Sequence, residues 1–105
     1  MIRFERWRPL IDAANAEQDL LRVLNEYCDT WLPSDLALLP AACQRCKPGS
    51  ADQIGELALQ FKHEELKFAG GDDGRRLLHE LTQVFIAGAE RLKRLRSQWH
   101  PPATE

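Results

Sequence analysis

The sequence lacks most of the features that announce a function. Three cysteines among 105 residues cannot all pair within one chain. Nothing else marks an oxidising compartment, so they read as thiols of a cytoplasmic protein. No apolar run approaches the ~18–20 residues of a membrane span. The stretch from Met1 to Pro9 carries charges where a signal peptide needs an apolar segment. A cytoplasmic location with no membrane partner is the expectation. Period-two alternation is missing over any useful length, which removes the main signal for half-buried strands. Internal repeats and low-complexity tracts are missing too. Charge of one sign is not in excess: 14 bases against 16 acids leave a net charge of −2. That excludes a globally basic nucleic-acid binder, though not a local basic patch.

What is present is the profile of one globular domain spanning residues 1–105, with 44% hydrophobic and 29% charged residues. Helical periodicity fills it. In a first segment from about Asp12 to Trp31, Ala13, Ala16, Leu20, Leu24, Tyr27 and Trp31 recur at three- or four-residue steps. Asp12 is a candidate N-cap, Asn15 and Gln18 offer a second start one turn later, and Leu32-Pro33 ends the segment. A short second segment runs from Asp35 to Cys46, capped by Ser34 and broken by Pro40. The third starts at a capping box, Ser50 with Gln53, and stops at Gly70-Gly71, where a left-handed turn is expected. The fourth begins near Asp72 or Asp73 and runs to about Trp99, with Pro101-Pro102 beyond it. The fold expected is an all-α antiparallel bundle of three long helices and one short, proline-broken one. Residues 1–11 read as an N-terminal arm that packs on the bundle or on a second chain, and residues 100–105 as a flexible tail.

The last helix carries the strongest pattern. Leu78, Leu81, Phe85, Gly88, Leu92, Leu95 and Trp99 follow strict 3-4 spacing for three heptads. Such a seam serves the core of a bundle or the interface of a homodimer. The small residues Ala87-Gly88-Ala89 leave room for a second helix backbone, or for an aromatic such as Trp7 or Trp31. Charge along the chain is polarised: six acids and one base lie between Asp12 and Asp35, against six bases and two acids between Arg75 and Gln98. Arg91, Lys93, Arg94 and Arg96 interleave with Leu92 and Leu95, so they are candidate phosphate contacts as well as a solvated face.

The chemical motifs are fragments. Cys43-Gln44-Arg45-Cys46 has the spacing of a metal or redox pair, but a structural zinc needs four ligands and no second pair follows. Cys28 and His63 are the residues left to complete a set, and their spacing fits no zinc fold. Glu64 and Glu65 beside His63 lack the Glu-x-x-His repeat of di-iron bundles, since Gln60 and Arg76 stand three before His63 and His79. Glu65, four after Phe61 and three before Phe68, needs a partner if buried; an arginine of the last helix is the natural candidate. Gly70-Gly71-Asp72-Asp73-Gly74 lacks the lysine of a phosphate loop. No acid, base and nucleophile assemble into a catalytic set, so neither an enzyme, a cofactor nor a metal is expected. The reading is a protein-interaction module, homodimeric through Phe4, Trp7, Phe85, Gly88, Leu92, Leu95 and Trp99. A nucleic-acid accessory protein using Arg91, Lys93, Arg94 and Arg96 is the alternative.

Overall fold

The computed structural model describes residues 4–45 and 47–98. It is an all-helical bundle of α1 (Phe4–Ala13), α2 (Glu17–Asp29), the short α3 (Pro33–Leu36), a 3-10 turn (Ala41–Cys43), α4 (Asp52–Leu66) and α5 (Asp72–Gln98). With 27 residues, α5 is the spine: α1, α2 and α4 all pack against it, α2 and α4 antiparallel to it and α1 along it in the same direction.

Two expectations about the first third of the chain need correction. From Phe4 onward the residues read as an arm form helix α1, because Trp7, Ile11 and Ala14 recur at four and three and bury one stripe. Pro9 stands within that helix. It withholds one backbone donor, and the apolar stripe offsets the loss. The segment expected from Asp12 begins later, near the second start offered by Asn15 and Gln18: α1 closes at Ala13, and α2 starts at Glu17 after the extended residue Ala16. The division is held from outside, since the Arg91 side chain donates through Nε (3.0 Å) and Nη2 (2.8 Å) to the Ala14 carbonyl at the end of α1. Beyond it, Leu20, Leu24, Tyr27 and Trp31 bury their stripe as the spacing requires, whereas Ala13 and Ala16 are exposed.

The proline-broken segment is two pieces. Pro33 occupies the first turn of α3, where its missing N–H costs nothing, so Ser34 lies inside the helix rather than capping it. Pro40 separates α3 from the 3-10 turn. The capping box at the start of α4 is shifted by one residue: the Gln53 side chain reaches back to the Gly49 N–H (2.7 Å). Neither Gly70 nor Gly71 is left-handed. The glycine that matters in this stretch is Gly74, where an added Cβ would stand 2.8 Å from the Leu38 carbonyl and 2.8 Å from the Phe68 ring. Its absence lets the first turn of α5 press against the backbone that follows α3.

The seam on α5 faces inward. Leu78, Leu81 and Phe85 are fully buried and Leu92 nearly so. Phe85 meets Phe61 of α4 edge to face at 5.0 Å, and burying such a ring contributes about 2–3 kcal/mol. Gly88 is the notch, but neither Trp7 nor Trp31 fills it. Leu24 and Ile54 do, since a Cβ there would lie 2.9 Å from Leu24 Cδ1 and 3.4 Å from Ile54 Cγ2.

Candidate functional site

A groove of about 620 Å³ opens where α1, α3 and the first half of α5 meet. Helix α5 presents Asp73, Arg76, Leu77, Glu80 and Gln83 to it, a stripe at steps of three, one, three and three. At 3.6 residues per turn this stripe is centred roughly 120° around α5 from the Leu78–Phe85 seam. One helix therefore serves the core with one face and the groove with another. Phe4 of α1 and Leu38 after α3 complete the apolar wall with Leu77, and Asp35 and His79 join the polar rim.

The groove has a fixed base. Glu80 is 8% exposed, and its Oε2 accepts a 2.8 Å hydrogen bond from the Tyr27 hydroxyl, a buried contact between α2 and α5. Tyr27 is itself clasped edge-on by Trp7 at 5.6 Å and Trp31 at 6.1 Å. Burial pushes the Tyr27 hydroxyl far above its ordinary range, and the neighbouring Glu80 charge adds to the shift. A carboxylate so held is a fixed acceptor, because moving it would break a bond in the dry interior. At the rim, Arg76 Nη2 pairs with Asp73 at 2.6 Å. His79 Nδ1 lies 2.5 Å from Glu65 Oε2, joining α5 to α4. The half-buried Glu65 does have a partner on α5, but it is a histidine rather than an arginine.

The residues expected at an interface are scattered by the fold. Trp7, Phe85, Gly88 and Leu92 are buried within the chain's own core. Phe4 and Leu95 are half-buried against that core. Trp99 and the tail lie outside the described residues. So does Cys46, which leaves the Cys43/Cys46 pair undescribed; Cys43 is fully buried, Cys28 is buried, and His63 is exposed. Among the described residues no three His, Cys, Asp or Glu side chains gather as metal ligands.

The candidate phosphate contacts do not form one face either. Arg91 is committed to the Ala14 carbonyl. Arg96 holds Glu17 through two bonds (2.9 and 3.1 Å) and Asp52 through a third (2.7 Å). The hydrogen bond from Arg96 lowers the Glu17 carboxyl below its ordinary value, and the same contacts raise the Arg96 guanidinium. Lys93 and Arg94 are exposed, but they point roughly 100° apart around the helix.

Comparison with protein-family models, curated proteins and solved structures found no match. The chain's own geometry is the ground for a functional reading. The groove was not visible in sequence because its walls come from three separated segments. Glu80 could have been found: it stands three after Leu77 and four before Val84, and an acid inside an apolar stripe demands a buried partner.

Proposed function

We propose that this chain is a non-catalytic protein-interaction module of the cytoplasm, which receives an apolar segment of a partner in the groove between α1, α3 and α5. The observation that carries the reading is the groove itself, with an apolar wall of Phe4, Leu38 and Leu77 and a fixed carboxylate at its base. Convergent polar groups around an apolar concavity of this size are the usual form of a binding site. The three carboxylates among the lining residues, against one arginine, favour a segment that carries basic residues beside its apolar ones. Cytoplasmic placement is supported by the buried thiols Cys28 and Cys43. No helix among the described residues is long and apolar enough to cross a membrane. The nucleic-acid alternative loses its support, since two of its four bases are occupied within the chain and the other two diverge. A homodimer through the α5 seam loses its support as well, for the seam is core.

The test is a selection from displayed amphipathic peptides against the wild-type protein, with Leu38→Glu as the counter-target. Peptides of apolar and basic character that bind wild type in the micromolar range, fail on Leu38→Glu, and shift the amide resonances of Leu77, Glu80 and Gln83 are the expected outcome. Peptides whose resonance shifts fall outside the groove would sink the reading.

A further inference from the structure

His79 stands at the border between the groove and α4. It lines the groove, and its Nδ1 lies 2.5 Å from Glu65 Oε2 across the α4–α5 contact. An ionised carboxylate only accepts, so Nδ1 carries the hydrogen and donates it. Glu65 thereby holds both the ring and its tautomer at the rim, and a proton gained or lost at this histidine is the one on Nε2. Imidazole is the side chain whose charge changes between about pH 5 and 8. His79 is the single histidine among the lining residues; His63, the other one among the described residues, is exposed on α4.

The charges around His79 are committed to other contacts or share the groove with it. On α4, Glu65 faces it, Glu64 pairs with Lys67 at 3.4 Å, and Lys62 is exposed. On α5, Arg76 pairs with Asp73, Arg75 lies over the Phe68 ring at 5.9 Å, and Glu80 accepts from Tyr27. Helix α3 contributes Asp35 to the groove, and α1 contributes the uncharged Phe4, with Arg8 over its ring at 5.6 Å. Three carboxylates and one arginine give the lining a formal charge of −2, and a proton on His79 halves it.

We propose that His79 makes occupancy of the groove depend on pH, on the reading that the groove takes an apolar segment bearing basic residues. The segment binds most tightly while the imidazole is neutral. Below neutrality the imidazolium stands beside the incoming cation and repels it. Because Glu65 holds the ring at the rim, the charged imidazole stays beside the groove. By reciprocity, a bound basic segment disfavours the proton, so binding to the protonated form releases it. Two like charges about 8 Å apart at a half-solvated surface change affinity by about fivefold.

The probe is a peptide selected on the groove, one that binds wild type and fails on Leu38→Glu, made without histidine and with blocked termini. Titration calorimetry at fixed ionic strength from about pH 8 to about pH 5.5 reads the effect. The Kd of wild type should rise about fivefold across that range, and buffers of unlike ionisation enthalpy should report proton release near its middle. His79→Gln should bind tightly at every pH and release no proton, and His79→Lys should bind weakly at every pH. His63→Gln should keep the wild-type profile, as should circular dichroism keep its native form in all three variants. Replacing the basic residues of the peptide with glutamine should flatten the profile on wild type. A peptide that needs Leu38 yet binds with a pH-independent Kd, or a wild-type profile retained in His79→Gln, would overturn the role of His79 and leave the groove reading standing. Failure of every such peptide to bind the groove at any pH would overturn both.

Discussion

Replacing Tyr27 by phenylalanine removes a buried hydrogen bond that helps anchor the base of the groove. The substitution keeps the ring, hence its edge-on packing against Trp7 and Trp31, and opens no cavity. What it removes is the 2.8 Å bond to Glu80, a residue only 8% exposed. A hydrogen bond to a charged group is worth about 1.5–3 kcal/mol, and a buried acceptor deprived of its donor forfeits most of that. The expected loss is therefore about 2 kcal/mol. For a domain of this size that lowers the melting temperature by about 8–16 °C. Thermal and urea unfolding followed by far-ultraviolet circular dichroism measure it. The decisive form is a double-mutant cycle with Glu80→Met, an apolar side chain of similar length. In that background the hydroxyl has no carboxylate to serve, so Tyr27→Phe should be close to neutral, leaving a coupling above about 1 kcal/mol. A coupling under about 0.5 kcal/mol would refute the claim that this contact fixes the carboxylate.

Tyr27 is also the chain's single tyrosine, so near-ultraviolet tyrosinate absorbance reports on it alone. Its folded-state value is raised above the ordinary 10.0, so its contribution to stability is intact below that pH and declines as pH rises past it. Tyrosinate should be missing from the native protein just above pH 10 and appear only with alkaline unfolding; gradual titration with the fold intact would contradict the burial argument. At Gly88, valine should cost about 1–3 kcal/mol in urea unfolding, because its branches collide with Leu24 and Ile54, whereas Gly55→Ala should stabilise the monomer by about 0.5–1 kcal/mol. Equal effects at the two glycines would mean that the Gly88 notch is not packed. Arg91→Ala should cost about 1–2 kcal/mol by leaving the Ala14 carbonyl without its two donors, with Arg91→Lys rescuing little because lysine lacks the fork. Alanine at the exposed Arg94 should fall within about 0.5 kcal/mol of wild type.

The helices of this fold were legible where a local pattern and the final environment agree. The 3-4 spacing along α5 predicted a buried seam, and its described residues from Leu78 to Leu95 are buried or half-buried in the core; Pro33 and Pro40 marked real boundaries. Legibility failed where a distant residue decides the local structure. Alanines 13, 14 and 16 favour helix and give no stop signal, yet the chain breaks there because Arg91, 77 positions away, occupies the Ala14 carbonyl. Helix α1 was hidden for a related reason: Pro9 and alternating charges obscure a stripe of only three residues. Glu65 illustrates a half-success. Its placement between two phenylalanines predicted a partner from the last helix, but the identity of that partner depends on the rotation of α5, which spacing alone does not fix. The groove needs the relative placement of α1, α3 and α5, and no window of the sequence contains all three.

The polarity of charge takes on a different meaning once the fold is known. An acidic stretch from Asp12 to Asp35 and a basic last helix suggested both a mutual attraction and a basic face available to a partner. In the structure that polarity is partly spent at one end of the bundle, where Arg96 joins Glu17 and Asp52 and so ties α5 to the starts of α2 and α4. Exposed ion pairs of this kind contribute little stability, but they fix which end of α5 lies beside which helix start. The groove lies at the opposite end of α5, around Asp73 to Gln83, where its lining is acidic on balance. A partner drawn to the chain by charge would therefore approach the first half of α5 rather than the arginine-rich last turns.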